Sequence, residues 1–320
     1  HNIVNGLRWG PDGWLYGRHG IQATSLVGTP ETPPEHRIQL ECGIWRYHPT
    51  RRIFEVVARG TTNPWGMDWD EHGQLVFINT VIGHLWHVVP GAYYQRMYGN
   101  HFDPHVYRLL PQTADHYHWD ISEEKWNETK SIGVTSGTDK AGGGHAHQGM
   151  MIYAGDNWPD SYRGKLFTFN FHGRRVNVDR LQRHGATYVG KHEQDFMMSA
   201  DPWFRGIEMV YGPDGGVIMA DWSDIGECHE NDGVHRTSGR LFKVTHGSVQ
   251  PAQQDLRKLE SVALVKLLEH KNAWFARQAR RLLQERFVDG QDMTACEAAL
   301  TQLYHSASNV SHRLRAMWAL

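Results

Sequence analysis

The chain has 320 residues with a formal net charge of −2, and 40% of its residues are hydrophobic and 21% charged. This balance is typical of a folded globular protein, and the lack of a basic stripe excludes nucleic acid as a partner. The sequence has no apolar run of about 18 residues, the length that would predict a membrane-spanning helix. The 22 histidines are numerous enough to raise the question of a metal or redox site.

Three segments share one pattern, in which two apolar strands flank a turn with an acidic residue followed by glycine: LRWGPDGWLYG at 7–17, MDWDEHGQLVF at 67–77 and MVYGPDGGVIM at 209–219. Each predicts a β-hairpin, because glycine supplies the positive φ of a tight turn. A divergent copy with a longer loop spans 150–170. Hairpins repeated in this way indicate a mainly β fold, a β-propeller whose first blades are expected upstream of this sequence.

The pattern divides the chain into two parts. We expect a partial propeller over 1–246, with a loop-rich insertion at 91–140, and a linker at 247–254. Residues 255–320 keep apolar positions at the helical period and predict an all-α segment. An offset of about 37 residues relates two parts of this segment, which favours HEAT-like helical repeats that continue beyond it.

Two histidine pairs are candidate metal ligands. ADHYHWD carries Asp115, His116 and His118, and GGGHAHQG carries His145 and His147. Alternate residues of an extended strand point to one side, so each pair could present two imidazoles together. Four imidazoles suit iron, copper or zinc, whereas the plainer alternative is hydrogen bonding of the rings to loop backbone or water.

Other polar residues are candidates for holding a ligand. In FNFHGRRVNVDRL, the side chains of Asn170, His172 and Arg174 share one face of a strand and could bind an anionic or polyhydroxyl group. Arg205 precedes a strand and could clamp a carboxylate, although a salt bridge to a neighbouring blade is an equal alternative. Asn63 in TTNPWG has turn capping as its default role.

Several of these segments together resemble a known family. HNIVNGLRWGPDGWLYGRHG, TNPWGMDWDEHGQLVF and DPWFRGIEMVYGPDGGVIMADWSD resemble the soluble quinoprotein sugar dehydrogenases. GGGHAH, GDNWP and DPWFRG look like signatures of the large membrane-bound dehydrogenases of planctomycete-type bacteria. The resemblance covers about 1–246 for the propeller and 255–320 for the helices.

The resemblance implies a six-bladed propeller that uses pyrroloquinoline quinone (PQQ) and calcium. It implies that His1 is the general base that takes the proton of a substrate alcohol while hydride leaves for the quinone. It places Asn63, His172 and Arg205 at the cofactor, and His145, His147 and Arg174 could complete that site. The sequence departs from the family at Thr62 and Trp203, where the family has arginines, and it lacks the Gly-Pro calcium loop around residues 79–84.

The sequence thus predicts an oxidoreductase that oxidises a sugar or alcohol hydroxyl. One alternative is a metal-dependent propeller enzyme, in which the histidine pairs hold iron, copper or zinc. The other is a non-catalytic module that binds partners through the propeller and the helical repeats. The resemblance further implies a c-type cytochrome as electron acceptor and a protein partner at the HEAT-like segment. It also implies a periplasmic or extracytoplasmic location, with membrane association of the full-length protein as an option.

Overall fold

A computed structural model describes residues 3–123, 135–225, 234–249 and 255–320. The first part of the chain forms six strands: β1 (Val4–Trp9), β2 (Leu15–His19), β3 (Ser25–Val27), β4 (Ile38–Leu40), β5 (Gly43–His48) and β6 (Ile53–Thr61). The next four are β7 (Asn63–Trp69), β8 (Leu75–Thr80), β9 (Leu85–His87) and β10 (Tyr93–Arg96). A short helix α1 (Ser136–Ala141) precedes β11 (His147–Ile152), β12 (Leu166–Asn170), β13 (Arg175–His184), β14 (Thr187–His192) and β15 (Met197–Met198). The last strands are β16 (Gly206–Tyr211), β17 (Val217–Asp221) and β18 (Arg240–Val244).

These strands form four main sheets and one small hairpin. The first sheet has the order β1-β2-β5-β6-β10, the second β7-β8-β9, the third β11-β12-β13-β14 with β15 beside β13, and the fourth β16-β17-β18. Strands β3 and β4 pair separately. The opening strand of the third sheet, β11, packs between β7 and β16, the opening strands of its two neighbours. The protein is therefore mainly β, with sheets set side by side as blades are; the number of blades stays a prediction.

The three predicted hairpins are present and share one turn geometry. Gly13, Gly73 and Gly215 have φ values of 79°, 79° and 72°, in the region that favours glycine. The strands they join pair antiparallel, with Trp9 opposite Leu15 in the first copy. In each copy the backbone N–H that opens the turn donates to the carbonyl four residues later. Residues 150–170 also form an antiparallel pair, β11 with β12, across a longer loop.

The apolar core lies between the sheets rather than in one central layer. Trp14, Ile44, Trp69 and Trp86 are among the buried side chains shared by the first and second sheets. Met151, Phe167, Phe169 and Met209 belong to the cluster between the third and fourth. A smaller cluster with Ile78, Leu85 and Met150 joins the second sheet to the third. Neighbouring sheets are thus fixed to one another by packed side chains, and residues at their junctions keep defined positions.

The described part of the region 91–140 is mostly loop, with two short regular elements, β10 and α1. Strand β10 adds to the first sheet, parallel to β6, so that the Tyr94 side chain is buried in the core between the first two sheets. Helix α1 is capped by Thr135, whose side chain accepts from the Thr138 N–H. An unpaired edge on β6 supplies the partner that local sequence periodicity does not reveal. Residues 124–134 of the insertion and 250–254 of the linker lie outside the described residues.

Four helices follow the sheets: α2 (Ser261–Lys266), α3 (Ala273–Val288), α4 (Thr294–Ser306) and α5 (Val310–Ala319). Helices α3 and α5 are capped by Asn272 and Asn309, the same 37 residues apart as the sequence offset, and each asparagine accepts a backbone N–H of the first turn. Helix α3 is docked on the sheets, since the Ala273 N–H donates to the Ala154 carbonyl at 2.9 Å. That these helices are HEAT-like stays a prediction. None of the described helices is both long and apolar enough to cross a membrane.

Candidate metal centre

Six polar residues converge at the junction of the second and third sheets. They come from the β8–β9 turn, from the loop before α1, and from β11, β13 and β14, and they are His84, His116, His118, His147, Asp179 and His192. We refer to these six residues as the histidine centre. His84, His118, His147 and Asp179 are nearly or fully buried, whereas the side chains of His116 and His192 are 19% and 27% exposed. The centre is therefore closed on the protein side and open to solvent along one edge.

Four of these residues present ligand atoms to a common point. One atom each from His84, His116, His118 and Asp179 lies within 4.8 Å of the other three. The two Asp179 carboxylate oxygens are each 3.2 Å from an imidazole Nε2, one of His84 and one of His116. The Nε2 atoms of His116 and His118 are also 3.2 Å apart. Ligands at about 2.0–2.1 Å from a tetrahedral metal are separated by roughly 3.3 Å, so the spacing matches a metal-binding set.

Hydrogen bonds fix which nitrogen of His118 is free to bind. The His145 carbonyl lies 3.2 Å from Nδ1 of His147, and since a carbonyl only accepts, that nitrogen carries the proton. Nε2 of His147 then accepts from Nδ1 of His118 at 2.7 Å. The remaining nitrogen of His118, Nε2, is left with a lone pair aimed at the other ligands. Histidine ligands of metals are usually oriented by such bonds from their second nitrogen.

The electrostatics separate the neutral members from the charged ones. Burial lowers the pKa of His118 and His147 well below the usual histidine range, and repulsion from His84 adds to it. Burial alone would raise the pKa of Asp179, but His84 and His116 outweigh it and lower that pKa. Burial likewise opposes the charge on His116, whereas its bonds to Asp179 and Asp115 raise its pKa. His118 and Asp179 therefore have the neutral and ionised forms that a metal requires, whereas His116 would release a proton when a metal binds.

The three glycines of GGGHAH allow the backbone to pass close to histidine side chains in and beside the centre. Gly142, Gly143 and Gly144 have φ values of 134°, 97° and 139°. A Cβ on Gly142 would lie 2.7 Å from the His118 ring, and one on Gly144 would lie 2.8 Å from His172. The glycines therefore bring backbone close to histidine side chains, where any larger residue would displace them.

A strained turn presents His84. Val81 and Ile82 have φ values of 62° and 56°, which β-branched residues rarely adopt. The buried Asn79 side chain holds the turn: its amide group donates to the carbonyls of Thr80, Val81 and Gly83 at 3.0, 2.5 and 3.3 Å. Strain of this kind persists only where surrounding contacts enforce it, and it is common at functional sites.

The structure brings together only part of the predicted metal set. His116, His118 and His147 belong to the centre. Asp115 lies at its edge, where it contacts His116 at 3.2 Å and pairs with Lys191. His145 is not a member of the centre, because its ring packs on His172 with the ring centroids 4.6 Å apart. The alternation of a strand does not unite His145 with His147, because β11 begins only at His147.

The predicted cofactor-binding residues do not join the histidine centre, except His147. The Arg205 Nη atoms donate to the backbone carbonyls of Pro202, Phe204 and Ile225. Arg174 is half-buried with a φ of 47°. Asn63 opens β7, and its buried Oδ1 has no hydrogen-bond partner within the described ranges. The predicted base, His1, lies outside the described residues.

Three members of the centre were not predicted from the sequence: His84, Asp179 and His192. Asp179 pairs with His192 across β13 and β14, so these two residues share one sheet. The NVDRL and GKHEQD segments carry no spacing that singles them out. His84 is 95 residues from Asp179, its hydrogen-bond partner. The one available signal was the glycine before His84, in a segment where a quinoprotein would have a calcium loop.

Fold and site together define a mainly β protein of adjacent sheets, antiparallel except where β10 joins the first, with a histidine-rich candidate metal centre. The chain belongs to the family described as Domain of unknown function (DUF7133), whose model matches residues 1–247. No curated protein sequence matches the chain.

Among solved structures, the chain is similar to a Thermus thermophilus oxidoreductase described as a glucose dehydrogenase, at 18% identity and a TM-score of 0.45, covering 74% of this chain and 64% of that one. The soluble aldose sugar dehydrogenase of Escherichia coli matches at 18% identity and a TM-score of 0.45, with 75% and 63% covered. The PQQ-bound aldose sugar dehydrogenase of Streptomyces coelicolor matches at 17% identity and a TM-score of 0.39, with 76% and 62% covered. The chain thus spans a little under two thirds of the length of these structures.

Proposed function

We propose that the histidine centre binds a transition metal ion and that the chain is part of a metal-dependent oxidoreductase acting on a sugar or alcohol hydroxyl. The observation that carries this proposal is the convergence of three imidazoles and the Asp179 carboxylate at 3.2 Å spacings. His84, His116, His118 and Asp179 are the proposed ligands. His147 orients His118 through the 2.7 Å hydrogen bond between their rings.

The donor chemistry favours a transition metal over calcium. Calcium prefers six to eight oxygen ligands, whereas this set offers three ring nitrogens and one carboxylate. Imidazole nitrogen suits zinc, copper, iron and nickel, and a mixed nitrogen–carboxylate set is used by redox-active iron. A buried carboxylate between two imidazoles also offsets part of the metal's charge, which lowers the cost of placing the ion in the protein interior.

The solvent-exposed edge of the centre is where a substrate could enter. The His192 ring stacks on His116 with centroids 5.3 Å apart, and its Nε2 lies 3.1 Å from the Asp195 carboxylate. A hydroxyl at this edge could pass its proton to His192, and Asp195 would stabilise the resulting imidazolium. Oxidation of the CH–OH group to a carbonyl releases two electrons and two protons: one proton would pass to His192 and the second to solvent, and we propose that a c-type cytochrome accepts the electrons one at a time. The motifs that resemble quinoprotein sugar dehydrogenases support this reaction class.

PQQ is a second candidate group, favoured by buried polar atoms at another place. Nε and Nη1 of Arg18, Oγ1 of Thr62 and Oδ1 of Asn63 are buried without a hydrogen-bond partner among the described residues. The two segments meet, since the Ile21 N–H donates to the Thr62 carbonyl at 2.8 Å. Arg18 and the Thr62 hydroxyl would donate to the quinone's carboxylate and carbonyl oxygens, and Oδ1 of Asn63 would accept from the quinone's ring N–H. When bound, PQQ would supply a hydride acceptor.

The same proposal includes the cellular location of the protein and a protein partner for the helical segment. An extracytoplasmic site, with access to a c-type cytochrome, fits an enzyme that releases electrons to a protein acceptor. Helices α2 to α5 would offer a docking surface for such a partner. Fractionation of cells that produce the complete protein tests the location directly.

The metal proposal is tested by elemental analysis of the intact chain after exposure to iron, copper and zinc in turn. We expect about one tightly held ion per chain in the wild type and loss of that ion in His118→Ala. His145→Ala, which removes the neighbouring histidine outside the centre, and His305→Ala, an exposed histidine of α4, should keep it. Equal metal content in His118→Ala and the wild type would refute the site. Dye-linked oxidation of sugars with and without PQQ separates the two candidate groups.

A further inference from the structure

A large cavity lies between the sheets and the helices. It is at the end of β11 opposite the one that carries His147 of the histidine centre. Its volume is about 940 Å³, and its walls come from the ends of β1, β7 and β11, from β13 and β14, and from α3 and α5. Trp9, Trp69 and Trp318 contribute aromatic surface. None of the six residues of the histidine centre lines it, so this cavity is a separate place in the molecule.

Three arginines on α3 and α5 face this cavity: Arg277, Arg280 and Arg315. Two of them have partners. Arg277 pairs with the buried Asp68 carboxylate at 3.0 Å, and Arg315 donates to the carbonyls of Leu268 and His270 at 2.8 and 3.2 Å.

Arg280 differs from its two neighbours. Its side chain makes no hydrogen bond or ion pair with any residue in the described part of the chain, although only 7% of the residue is exposed. Its guanidinium carbon lies 5.7 Å from the centre of the Trp318 ring, and the charges that act on it are the repelling Arg277 and Arg315 and the attracting Asp12. A buried, unpaired guanidinium is costly, and buried charges in folded proteins are normally paired.

The acidic residues of the cavity wall do not neutralise Arg280, because each of them is engaged elsewhere. Asp70 accepts from the Tyr188 hydroxyl at 2.7 Å, Glu71 from the Ser311 hydroxyl at 2.9 Å, and Asp160 pairs with Lys271. Burial lowers the pKa of Arg280 to about 9, and repulsion from Arg277 and Arg315 contributes to this shift. The cavity thus holds an excess of positive charge close to its aromatic wall.

We infer that this cavity binds a small anion bearing a phosphate or carboxylate group, which pairs with Arg280. Guanidinium groups present paired N–H donors that match the oxygens of both groups. The aromatic surface beside Arg280 would contact the less polar part of the ligand. Binding would also join the sheets to the helices, because the same ligand would contact both walls. The inference is independent of the metal proposal, since it rests on different residues.

The test measures the thermal stability of the complete, metal-free chain, prepared with a chelator that is then removed by dialysis, because citrate itself binds metals. The anions are inorganic phosphate and, separately, citrate, each compared with sodium chloride of equal ionic strength. We expect one or both anions to raise the melting temperature of the wild type. Arg280→Gln should be more stable than the wild type without ligand, because it removes an unpaired buried charge, and it should bind the active anion at least 10-fold more weakly. Arg257→Gln, which removes one exposed charge paired only with Asp255, serves as the matched control and should respond as the wild type does.

The arms of the experiment give distinct outcomes. A response to phosphate alone identifies a phosphate-bearing ligand, and a response to citrate alone identifies a carboxylate. Either response, or a response to both anions, supports the site. No response to either anion, or an equal response in Arg280→Gln and the wild type, overturns the inference. Arg280→Lys keeps the charge without the paired donors, so it should retain weakened binding. This variant keeps the test decisive if Arg280→Gln fails to fold.

Discussion

Replacing Asn79 by alanine tests whether the strained turn positions His84. The Asn79 side chain is completely buried, and its Oδ1 accepts from the N–H groups of Thr62 and Asn63 at 3.0 and 2.6 Å. The substitution leaves these two buried donors without an acceptor, at a cost of roughly 1–3 kcal/mol each. We expect a loss of about 3 kcal/mol in the free energy of unfolding, which a domain of ordinary stability survives.

The same substitution should weaken metal binding. The asparagine amide also holds the carbonyls of the turn in which Val81 and Ile82 have positive φ. Left-handed backbone costs roughly 1–2 kcal/mol per residue, so the turn relaxes when that restraint is removed. His84 follows the turn and would leave the position from which it faces Asp179. Loss of a group that orients a ligand typically lowers metal affinity 10- to 100-fold, and we expect a change in that range.

Two assays separate these effects. Urea unfolding in the presence of a chelator measures the metal-free stability, and calorimetric titration of the folded variant measures metal affinity. Asn157→Ala is the matched control, because Asn157 makes two hydrogen bonds to the His246 backbone far from the centre. The control should lose some stability and keep its metal affinity. Wild-type metal affinity in a folded Asn79→Ala variant would refute the role assigned to the turn.

Three further outcomes are expected. Gly142→Ala places a Cβ 2.7 Å from the His118 ring at a φ of 134°, so it should lower both stability and metal affinity. Gly164→Ala has open space around it and a φ of 76°, so it should lose only the roughly 1–2 kcal/mol of left-handed backbone and keep its metal affinity; thermal unfolding with and without metal compares the two variants. Asp68→Asn removes the buried carboxylate that pairs with Arg277, whose own side chain is 30% exposed, so it should cost about 1–3 kcal/mol in urea unfolding; a loss below about 0.5 kcal/mol would contradict the pairing. Removal of metal by a chelator should lower the melting temperature of the wild type but not that of His118→Ala, because an ion that binds only the folded state stabilises it.

The hairpins could be predicted from the sequence because each is determined locally. An acidic residue and a glycine between two apolar strands specify a tight turn within about ten residues, and Gly13, Gly73 and Gly215 adopt the backbone that this pattern requires. The helical segment was predictable for the same reason, since its apolar period and asparagine caps are short-range signals. Strand β10 was not, because its partner β6 lies more than 30 residues away.

The histidine centre was predictable only in part. The spacing of His116 and His118 identified two of its members, and His147 was the third. The remaining members are distant in the sequence, with His84 before β9 of the second sheet and Asp179 and His192 on β13 and β14 of the third. No local pattern shows that His84 meets a carboxylate 95 residues later in the chain. The prediction for His145 assumed a strand that starts before His147, whereas the positive φ values of Gly142 to Gly144 keep that segment out of the sheet.

The two proposed sites lie at opposite ends of one strand, which limits how they can influence each other. Strand β11 begins at His147 in the histidine centre and ends at Ile152, which lines the arginine cavity. The six residues of β11 span roughly 17 Å between its two ends. Asp68 joins the same strand to the helices, because it accepts from the Ile152 N–H at 3.0 Å and pairs with Arg277. Strands β13 and β14 also connect the two sites, because they carry Asp179 and His192 and line the cavity through Leu181 and Tyr188. If metal binding depends on an anion in the cavity, loss of that dependence in Asp68→Asn assigns it to β11 and this carboxylate, and its persistence assigns it to β13 and β14.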